Sequence, residues 1–338
     1  MNILITGGAG FIGTHLAKHF SDRGDMIAVF DNLSRRGSVP NLNWLKENVP
    51  GLEFIRGDIR DEKAIADAAR GREAIFHLAA QVAVTTSVDD PREDFAINAF
   101  GTFNVLEAAR ASGGNPIVIY SSTNKVYGGM ERAKVVEDET RYRLADLPLG
   151  VSEEWPLDFH SPYGCSKGAG DQYVRDYARI YGLPTVVFRQ SAIYGERQFG
   201  VEDQGWLAHF AICATLGKPI TIYGDGKQVR DMLYVGDLAA AFERAADQID
   251  TVRGRVYNIG GGPDFTMTIW SEAGPMLEKL CGHELVVRYA DWRPGDQRVY
   301  VSDIRKAEWE LGWKPVVPPR EGVARLWSWA QENKGQLG

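Results

Sequence analysis

The sequence predicts an α/β protein with a doubly wound parallel sheet and a smaller mixed α/β domain. Three observations predict it: apolar runs alternate with helix-like segments, the runs are nearly continuous, and a glycine-rich turn follows the first run. The chain has 338 residues, which is enough for about two domains. Its 44% hydrophobic and 25% charged residues are typical of a soluble globular protein.

The apolar runs of the first half predict strands buried on both faces, because they lack the alternation of half-buried strands. These runs lie at 3–5, 26–30, 52–55, 74–78 and 117–120. The helix-like segments between them lie at 11–23, 62–69 and 92–111. A βαβα order of this kind favours parallel strands joined by right-handed crossovers.

The pattern breaks after the fifth run. Residues 128–160 are rich in Glu, Asp, Pro and Arg and have no steady period, so we expect a long excursion that forms an active-site wall. A helix is predicted over 162–181, with a proline suitably placed at its start, and a strand over 185–188. From Arg189 onward the composition is more mixed.

Composition and charge disfavour several functions. The formal net charge of −7 disfavours broad binding to nucleic acid or to an anionic membrane. The three cysteines are scattered, and no metal-ligand spacing is present, so we expect neither a disulfide framework nor a metal site. No uninterrupted apolar run has the length of a membrane span. We therefore expect a cytoplasmic protein.

A glycine motif follows the first predicted strand and opens the first helix. Gly7, Gly10 and Gly13 have the spacing G-x-x-G-x-x-G, with Phe11 and Ile12 inside it. A pyrophosphate must approach bare backbone N–H groups closely, which a Cβ would prevent, and the helix N-terminus adds partial positive charge. Because a strand precedes the motif and a helix follows it, the motif predicts a Rossmann-type dinucleotide site.

The end of the second run indicates which dinucleotide binds. The Asp31 carboxylate can accept hydrogen bonds from both adenosine ribose hydroxyls and would repel a 2′-phosphate, which favours NAD over NADP. Arg35 and Arg36 could serve a 2′-phosphate or could be a solvated charge pair. Asp58 and Ile59 are placed to meet the adenine, although Asp58 could also be only a turn residue.

Tyr163 and Lys167 are four residues apart on a predicted helix, so they face the same way. A phenol has a pKa of about 10 and is a poor base at neutral pH. We expect the neighbouring ammonium and a positive nicotinamide ring to favour the phenolate. Thr123, near the fifth strand, can bind the same substrate oxygen. The pattern Y-x-x-x-K is common by chance, but its place after the glycine motif favours a catalytic set.

Several further motifs carry a family resemblance. They are His77-Leu78-Ala79-Ala80, Asn98, Arg230-Asp231, Arg293-Pro294-Gly295-Asp296 and Leu311-Gly312-Trp313-Lys314-Pro315. Over nearly its whole length the chain resembles the extended short-chain dehydrogenase/reductases of the nucleotide-sugar epimerase and dehydratase group. The resemblance implies an NAD cofactor and a nucleotide-sugar substrate. It also implies cofactor contacts at Asn32, Ser34, Leu78, Ala79, Ala80, Asn98 and Ser121.

Asn124 and Lys125 bear on the reaction. Nucleotide-sugar 4,6-dehydratases of this group carry an Asp-Glu pair at these two positions, where it protonates the leaving hydroxyl and removes the C5 proton. An amide and an ammonium cannot do either task well, so elimination is disfavoured. Alternatively, Asn124 and Lys125 only shape the loop.

Finer sequence features resemble those of enzymes that act at C2. These features lie at 31–37, 41–45, 81–87, 123–125, 157–167 and 203–206. They imply an epimerase that inverts C2 of a CDP-activated deoxyhexose through a 2-keto sugar. The alternative is an epimerase of another nucleotide sugar, a GDP- or UDP-hexose, at C2 or C4. An NAD-binding sensor without activity is disfavoured, because Thr123, Tyr163 and Lys167 are all present.

The diphosphate of the substrate needs cations. Arg230 and Arg293 are the expected ligands, since a guanidinium offers paired planar donors. Many relatives place an asparagine at Ala192 to hold a phosphate, so that contact is in doubt here or moves to a residue such as Gln204. Arg189 is either another contact or structural. The predicted substrate residues are Gln81, Thr123, Asn124, Gln198, Gln204, Arg230 and Arg293.

The expected domains follow from these assignments. Residues 1–188 with 224–250 are predicted to form the NAD-binding domain, and 189–223 with 251–338 the nucleotide-sugar-binding domain. The resemblance also implies a homodimer or homotetramer that associates through the helix that carries Tyr163.

Overall fold

A computed structural model of the chain describes residues 1–293 and 296–338. The strands, in chain order, are β1 (Asn2–Thr6), β2 (Met26–Asp31), β3 (Glu53–Arg56), β4 (Ala74–His77), β5 (Ile117–Thr123), β6 (Val135–Glu137), β7 (Tyr142–Leu144), β8 (Thr185–Gln190), β9 (Ala192–Tyr194), β10 (Ile220–Tyr223), β11 (Val229–Tyr234), β12 (Arg255–Ile259), β13 (Thr266–Thr268), β14 (Val287–Ala290) and β15 (Val299–Tyr300).

The α-helices lie between these strands and after them. They are α1 (Phe11–Asp22), α2 (Ser38–Asn48), α3 (Glu62–Ala69), α4 (Val84–Asp89), α5 (Pro91–Phe95), α6 (Gly101–Ala111), α7 (Ser161–Tyr181), α8 (Trp206–Leu216), α9 (Val235–Asp247), α10 (Ile249–Val252), α11 (Ala273–Cys281), α12 (Arg305–Leu311), α13 (Pro319–Glu332) and α14 (Lys334–Leu337). A π-helical turn, Ala96–Phe100, joins α5 to α6, and a 3-10 turn, Asn124–Tyr127, follows β5. None of the described helices is both long and apolar enough to cross a membrane.

The central sheet has seven strands in the order β12-β8-β5-β4-β1-β2-β3. Every neighbouring pair is parallel. The chain moves outward from β1 to β3 and then returns to β4 on the other side, so the strand order reverses between β1 and β4. Parallel sheets of this kind bind ligands beyond the carboxyl ends of the strands at such a reversal. The predicted Rossmann-type fold is confirmed.

Each face of this sheet has its own core. Ile3 and Ile5 face one core, to which α1 contributes Leu16 and α9 contributes Phe242. Leu4, between them in the sequence, faces the other core, formed with α3, α6 and α7. This alternation explains the continuous apolar runs, because both faces of every inner strand are covered.

The smaller domain is mixed, as predicted. Its sheet places β11 between β13, which is antiparallel to it, and β9 and β15, which are parallel to it. The strands β10 and β14 form a separate parallel pair. Buried residues of α8, α11 and α13 pack with them in one apolar cluster.

Parts of the predicted boundaries need correction. Residues 255–259 form β12, which pairs with β8 in the central sheet, so the segment 251–338 does not belong wholly to the smaller domain. Residues 229–234 form β11 of the smaller sheet, although 224–250 was assigned to the NAD-binding domain. In the same segment, α9 packs on the large sheet, against α1 and β5. The sequences of these short strands do not indicate which of the two sheets each strand joins.

The excursion at 128–160 also differs from the prediction. It contains a small antiparallel pair, β6 and β7, and contributes Met130 and Tyr142 to an apolar cluster that includes Tyr300 of β15. Val151 accepts and donates backbone hydrogen bonds with residues 301 and 303. The cavity described below takes none of its lining from 128–160, so the expected active-site wall is wrong. This segment instead packs against the smaller domain.

A buried ion pair joins α7 to the central sheet. Arg189 of β8 donates from Nε to Asp171 Oδ2 at 2.9 Å and from Nη2 to Oδ1 at 3.0 Å. Ser122 Oγ donates to the same carboxylate at 2.8 Å, and Arg189 Nη1 donates to the Tyr127 hydroxyl at 3.1 Å. Of the two alternatives for Arg189, the structure therefore supports the structural one.

We expect Arg189→Met to lower the free energy of unfolding by about 3–5 kcal/mol, because it leaves the Asp171 carboxylate buried without its counter-charge. Urea unfolding followed by circular dichroism measures this loss. The double variant Asp171→Leu with Arg189→Met should regain part of it, since both charges are then absent. A loss below about 1 kcal/mol in the single variant, as is usual for exposed pairs, would contradict the structural role.

Candidate active site

A cavity of about 760 Å³ lies beyond the carboxyl ends of the central strands and extends to the smaller domain. The predicted cofactor residues that line it are Gly7, Gly10, Phe11, Ile12, Gly13, Asp31, Asn32, Ser34, Arg35, Asp58, Ile59, Leu78, Ala79, Ala80, Ser121, Tyr163 and Lys167. The predicted substrate residues that line it are Thr123, Asn124, Gln198, Gln204, Arg230 and Arg293. The fold thus brings most of the predicted set into one space.

Gln81 and Asn98, predicted to contact the substrate and the cofactor, are not among the described residues that line the cavity. Gln81 Nε2 donates to Ala83 O at 2.7 Å and to Asp94 Oδ1 at 3.1 Å. Asn98 Nδ2 donates to Gln81 O at 3.0 Å, and its Oδ1 accepts from Gln81 N at 2.9 Å. Both side chains are buried, that of Asn98 binds the backbone of Gln81, and both donate to Asp94 Oδ1. They hold the turn after β4.

The glycine turn fits a pyrophosphate. Gly7 has φ +67°, and a Cβ there would lie 2.8 Å from Ala79 Cα. A Cβ at Gly13 would lie 2.5 Å from Gly7 O, so this glycine allows α1 to begin directly against the turn. Gly10 is the N-cap of α1. The first N–H groups of a helix therefore face the cavity, where an anion is favoured.

Asp31 fits a ribose. Its Oδ2 accepts from Ala9 N at 3.0 Å, and its Oδ1 accepts from Leu33 N at 2.8 Å. Burial raises the pKa of this carboxyl, and the two backbone hydrogen bonds oppose that rise. Each oxygen keeps lone pairs for a ribose hydroxyl, and the negative charge repels a 2′-phosphate. The cradle and this carboxylate together fit NAD.

Two other predicted cofactor residues have partners within the protein. The side-chain hydrogen bond with Arg60 lowers the pKa of Asp58 to about 2. Asp58 also accepts from Arg60 N and from Asn32 Nδ2, so it is both a turn residue and part of the cavity wall. Arg36 donates to the carbonyl of Leu337, which ties it to the last residues of the chain. Of the two basic residues after β2, Arg35 is the one that has contact with another predicted site residue, Gln204.

Thr123, Tyr163 and Lys167 all line the cavity. Burial raises the pKa of Tyr163 to about 12, and the nearby Thr123 side chain opposes this rise. Lys167 Nζ donates to Ser121 O at 2.6 Å and lies 4.2 Å from the centre of the Tyr120 ring. Burial lowers the pKa of Lys167 to about 7.

The pKa of Tyr163 thus differs from the sequence expectation. We expected the Lys167 ammonium to favour the phenolate, but the burial of the phenol outweighs any such effect, and the ammonium is bound to a carbonyl. Nearby positive charge, such as that of Arg35, lowers the pKa of Tyr163. A bound nicotinamide cation would act in the same direction.

A hydrogen-bond network behind the cavity positions the start of α7. Ser87 Oγ accepts from Tyr163 N at 3.1 Å. Ser166 Oγ donates to Asp94 Oδ2 at 2.5 Å, and burial raises the pKa of Asp94. No role was predicted for Ser87 or Asp94. Ser87 lies within the segment 81–87 but was not singled out there, Asp94 belongs to no motif, and their partners on α7 lie more than 60 residues away in the chain.

The two arginines predicted for the diphosphate line the far end of the cavity. Arg230 Nη2 donates to Asp296 Oδ1 at 2.6 Å, and Arg293 lies 3.9 Å from Asp203 Oδ1. The guanidinium of Arg293 also lies 3.9 Å from the centre of the Tyr223 ring. Each arginine therefore already has a carboxylate neighbour.

Other cavity residues were not predicted to bind a ligand. They include Lys125, Gln190, Arg197, Trp206, His209, Tyr223 and Asp296. Asp296 belongs to the motif Arg293-Pro294-Gly295-Asp296, which could have indicated that it lies at the site. Gln198, which was predicted, is buried, and its Oε1 has no hydrogen-bond partner within residues 1–293 and 296–338. An unpaired amide oxygen at the cavity suits a polar ligand.

A doubly wound sheet, a glycine cradle with a ribose-binding carboxylate, and a Thr, Tyr and Lys set define an NAD-dependent enzyme of the short-chain dehydrogenase/reductase type. The chain belongs to the NAD dependent epimerase/dehydratase family, which it matches over residues 3–260. Enzymes of the isomerase type are among its relatives.

Similar proteins carry particular activities. The chain is 46% identical to the CDP-paratose 2-epimerase of Salmonella typhi, over 97% of this chain and 99% of that protein. A UDP-glucose 4-epimerase of Thermotoga maritima, solved with UDP-glucose, has a TM-score of 0.85 and 33% identity, over 98% of this chain and 99% of that one. The Thermus thermophilus UDP-glucose 4-epimerase, solved with NAD, has a TM-score of 0.82 and 33% identity, over 98% and 100%.

We expect Gly13→Ala to reduce the NAD retained by the purified protein several-fold, because the new Cβ would clash with the backbone of the glycine turn and displace it. Extraction and chromatography of the nucleotide measure the ratio of NAD to protein. Gly114→Ala is the matched control, since a Cβ there would lie 3.8 Å from its nearest neighbour, Arg72 O. Equal NAD content in both variants would contradict the role of the turn.

Proposed function

We propose that the protein is an NAD-dependent epimerase that inverts C2 of a CDP-activated deoxyhexose and converts CDP-paratose to CDP-tyvelose. The observation that carries this proposal is the Thr123 and Tyr163 pair at the cavity, followed by Asn124 and Lys125 in place of two carboxylates. The pair suits oxidation of a hydroxyl, and its neighbours do not suit elimination. The identity of 46% to a CDP-paratose 2-epimerase supports the choice of substrate.

Tyr163, Thr123 and Lys167 have different roles in the proposed reaction. Tyr163 takes the proton of the C2 hydroxyl as that carbon is oxidised, and returns it when the carbon is reduced. Thr123, which lines the cavity with Tyr163, holds the same oxygen. Lys167 is fixed by Ser121 O beside the phenol and is placed to favour its ionised form once ligands fill the cavity. NAD⁺, when bound, accepts the hydride from C2, and the reduced form gives it back.

Inversion needs the sugar to present its other face between the two hydride transfers. Arg230 and Arg293 would hold the diphosphate while the hexose turns about its bonds to the phosphate. The cavity of about 760 Å³ is lined both by the glycine turn and by the two arginines. Retaining the reduced cofactor is essential, since its loss would leave the ketone unreduced.

The second candidate is an epimerase of another nucleotide sugar, a GDP- or UDP-hexose, at C2 or C4. It is favoured by the likeness to the UDP-glucose 4-epimerase of Thermotoga maritima, at a TM-score of 0.85. Any ring carbon that reaches Thr123 and Tyr163 can undergo the same oxidation. The two candidates therefore differ in which nucleotide sugar the cavity binds and in which carbon of it reaches Thr123 and Tyr163.

A panel of CDP-, UDP-, GDP- and dTDP-sugars, followed by NMR, separates these candidates. We expect inversion at C2 of CDP-paratose to give CDP-tyvelose. In deuterated water the product should carry no deuterium at C2, because the hydride removed is the one returned. Inversion at C4 of a UDP- or GDP-hexose would favour the second candidate, and deuterium at C2 would exclude return of the same hydride.

Tyr163→Phe is the matched variant for this panel. We expect it to lower kcat by about 10²- to 10⁴-fold, because the proton acceptor is gone while the ring remains. Its affinity for CDP, measured by titration calorimetry, should stay close to that of the unchanged protein, because CDP carries no hexose to reach the phenol. Full turnover in this variant would remove Tyr163 from the mechanism.

The protein is further proposed to be a cytoplasmic homodimer or homotetramer that associates through α7. Large apolar side chains are exposed on α6 and α7, among them Phe103 and Tyr173, whose ring centres lie 6.0 Å apart. The cysteines Cys165, Cys213 and Cys281 are free, which fits a reducing compartment. Sedimentation velocity measures the assembly, and a monomer at micromolar concentration would contradict it.

A further inference from the structure

Lys125 is a cation of the cavity to which the mechanism above gives no task. It follows Thr123 by two residues, in the 3-10 turn after β5, and its backbone N–H donates to Thr123 Oγ1 at 3.2 Å. Its side chain lines the same cavity as Thr123 and Tyr163. Lys125 is therefore attached directly to the residue that would hold the reacting oxygen.

The charges around Lys125 belong to the predicted diphosphate site. Arg230 and Asp296 are the charged groups that act on it, and they come from β11 and from the segment before β15. The carboxylate of Asp296 is bonded to Arg230, so it acts on Lys125 only through space. Burial lowers the pKa of Lys125 to about 8, and Arg230 contributes to this lowering. The ammonium form still predominates at neutral pH.

The arginines alone do not supply much net positive charge. Arg230 is paired with Asp296, and Arg293 has Asp203 as its neighbour. A diphosphate diester carries two negative charges, and its burial is favourable only against positive charge that is not already neutralised. Lys125 has no hydrogen bond or ion pair at Nζ among residues 1–293 and 296–338, so its charge is available for a ligand.

The geometry points to Lys125 as a third cation of the diphosphate site, where its ammonium binds the phosphate next to the sugar. Holding that phosphate presents C2, the carbon beside the anomeric carbon, to Thr123 and Tyr163. This inference rests on the proposed function for its choice of carbon. The contact with phosphate does not depend on that choice.

The choice of carbon follows from where the cation lies. C2 is bonded to the anomeric carbon, which carries the diphosphate, whereas C4 lies across the ring from it. A cation two residues from Thr123 keeps the phosphate near the reacting oxygen. That arrangement suits oxidation at C2. It disfavours oxidation at C4, because a sugar with C4 at Thr123 would place its phosphate a full ring width away.

The test compares CDP with CMP as ligands of the NAD-loaded protein by titration calorimetry, because the two differ only in the second phosphate. Lys125→Met should weaken CDP binding by about ten- to a hundredfold and leave CMP binding unchanged. Lys125→Arg should retain most of the CDP affinity. Lys227→Met is the matched control, since Lys227 is paired with Glu137 outside the cavity, and it should change neither affinity.

The pH dependence gives a second readout of the same contact. The ammonium form binds the phosphate, so the preference for CDP over CMP should fall as the pH rises through about 8 and beyond. Bound phosphate stabilises the ammonium, which extends the fall to higher pH. In Lys125→Met this fall should be absent. An unchanged CDP affinity in Lys125→Met, or an equal loss for CDP and CMP, would overturn the phosphate contact.

Turnover tests the placement of the sugar. With CDP-paratose, Lys125→Met should raise KM and also lower kcat, because the carbon is no longer held at Thr123. A raised KM with unchanged kcat would overturn the role of Lys125 in placing the sugar and would leave only its role in binding phosphate. If the unchanged protein inverts no sugar at C2, the proposed function fails, whereas the comparison of CDP with CMP still decides whether Lys125 binds phosphate.

Discussion

The buried ion pair between Asp171 and Arg189 fixes α7 on the central sheet, and the chemistry of the cavity depends on that attachment. Asp171, Lys167 and Tyr163 follow one another at intervals of four residues, so they share one face of α7. When Asp171 is held by β8 and by Ser122 of β5, the same face turns Lys167 and Tyr163 toward the end of β5. A structural charge pair thus sets the distance between the phenol and Thr123.

Burial shifts the pKa values of Tyr163 and Lys167 in opposite directions. At the Thr123 end it raises the pKa of Tyr163 and lowers that of Lys167, so both groups are neutral more readily than in water. Such a pair gains its reactive charges only when a cationic cofactor and a substrate enter. At the far end Arg230 and Arg293 each have a carboxylate neighbour, Asp296 and Asp203. An anionic ligand therefore enters a site whose cations are already positioned, although the chain as a whole is acidic.

Motifs with a strict local geometry were the most predictable part of the protein. The glycine turn, Asp31 and the Tyr163–Lys167 pair each depend on a few consecutive residues next to a strand or a helix, so their spacing alone located them at one cavity. The predicted ligand contacts differ from the structure where a polar side chain has other partners within the protein. Asn98 and Gln81 bind each other and Asp94 instead of facing the cavity. Such pairing joins segments that are distant in the chain.

The sequence by itself determined the order of β1 to β5 and of the helices α1, α3 and α6 between them, the dinucleotide cradle and the residue types at the reacting centre. Those features rest on local periodicity and on short spacings, which a linear chain fully specifies. Only the tertiary structure decided that β12 completes the central sheet, that residues 128–160 leave the cavity, and that Arg189 is structural. It also placed Lys125 beside Arg230, more than 100 residues away in the chain. Contacts of this kind depend on how whole elements pack, and packing is settled by all the buried surfaces together.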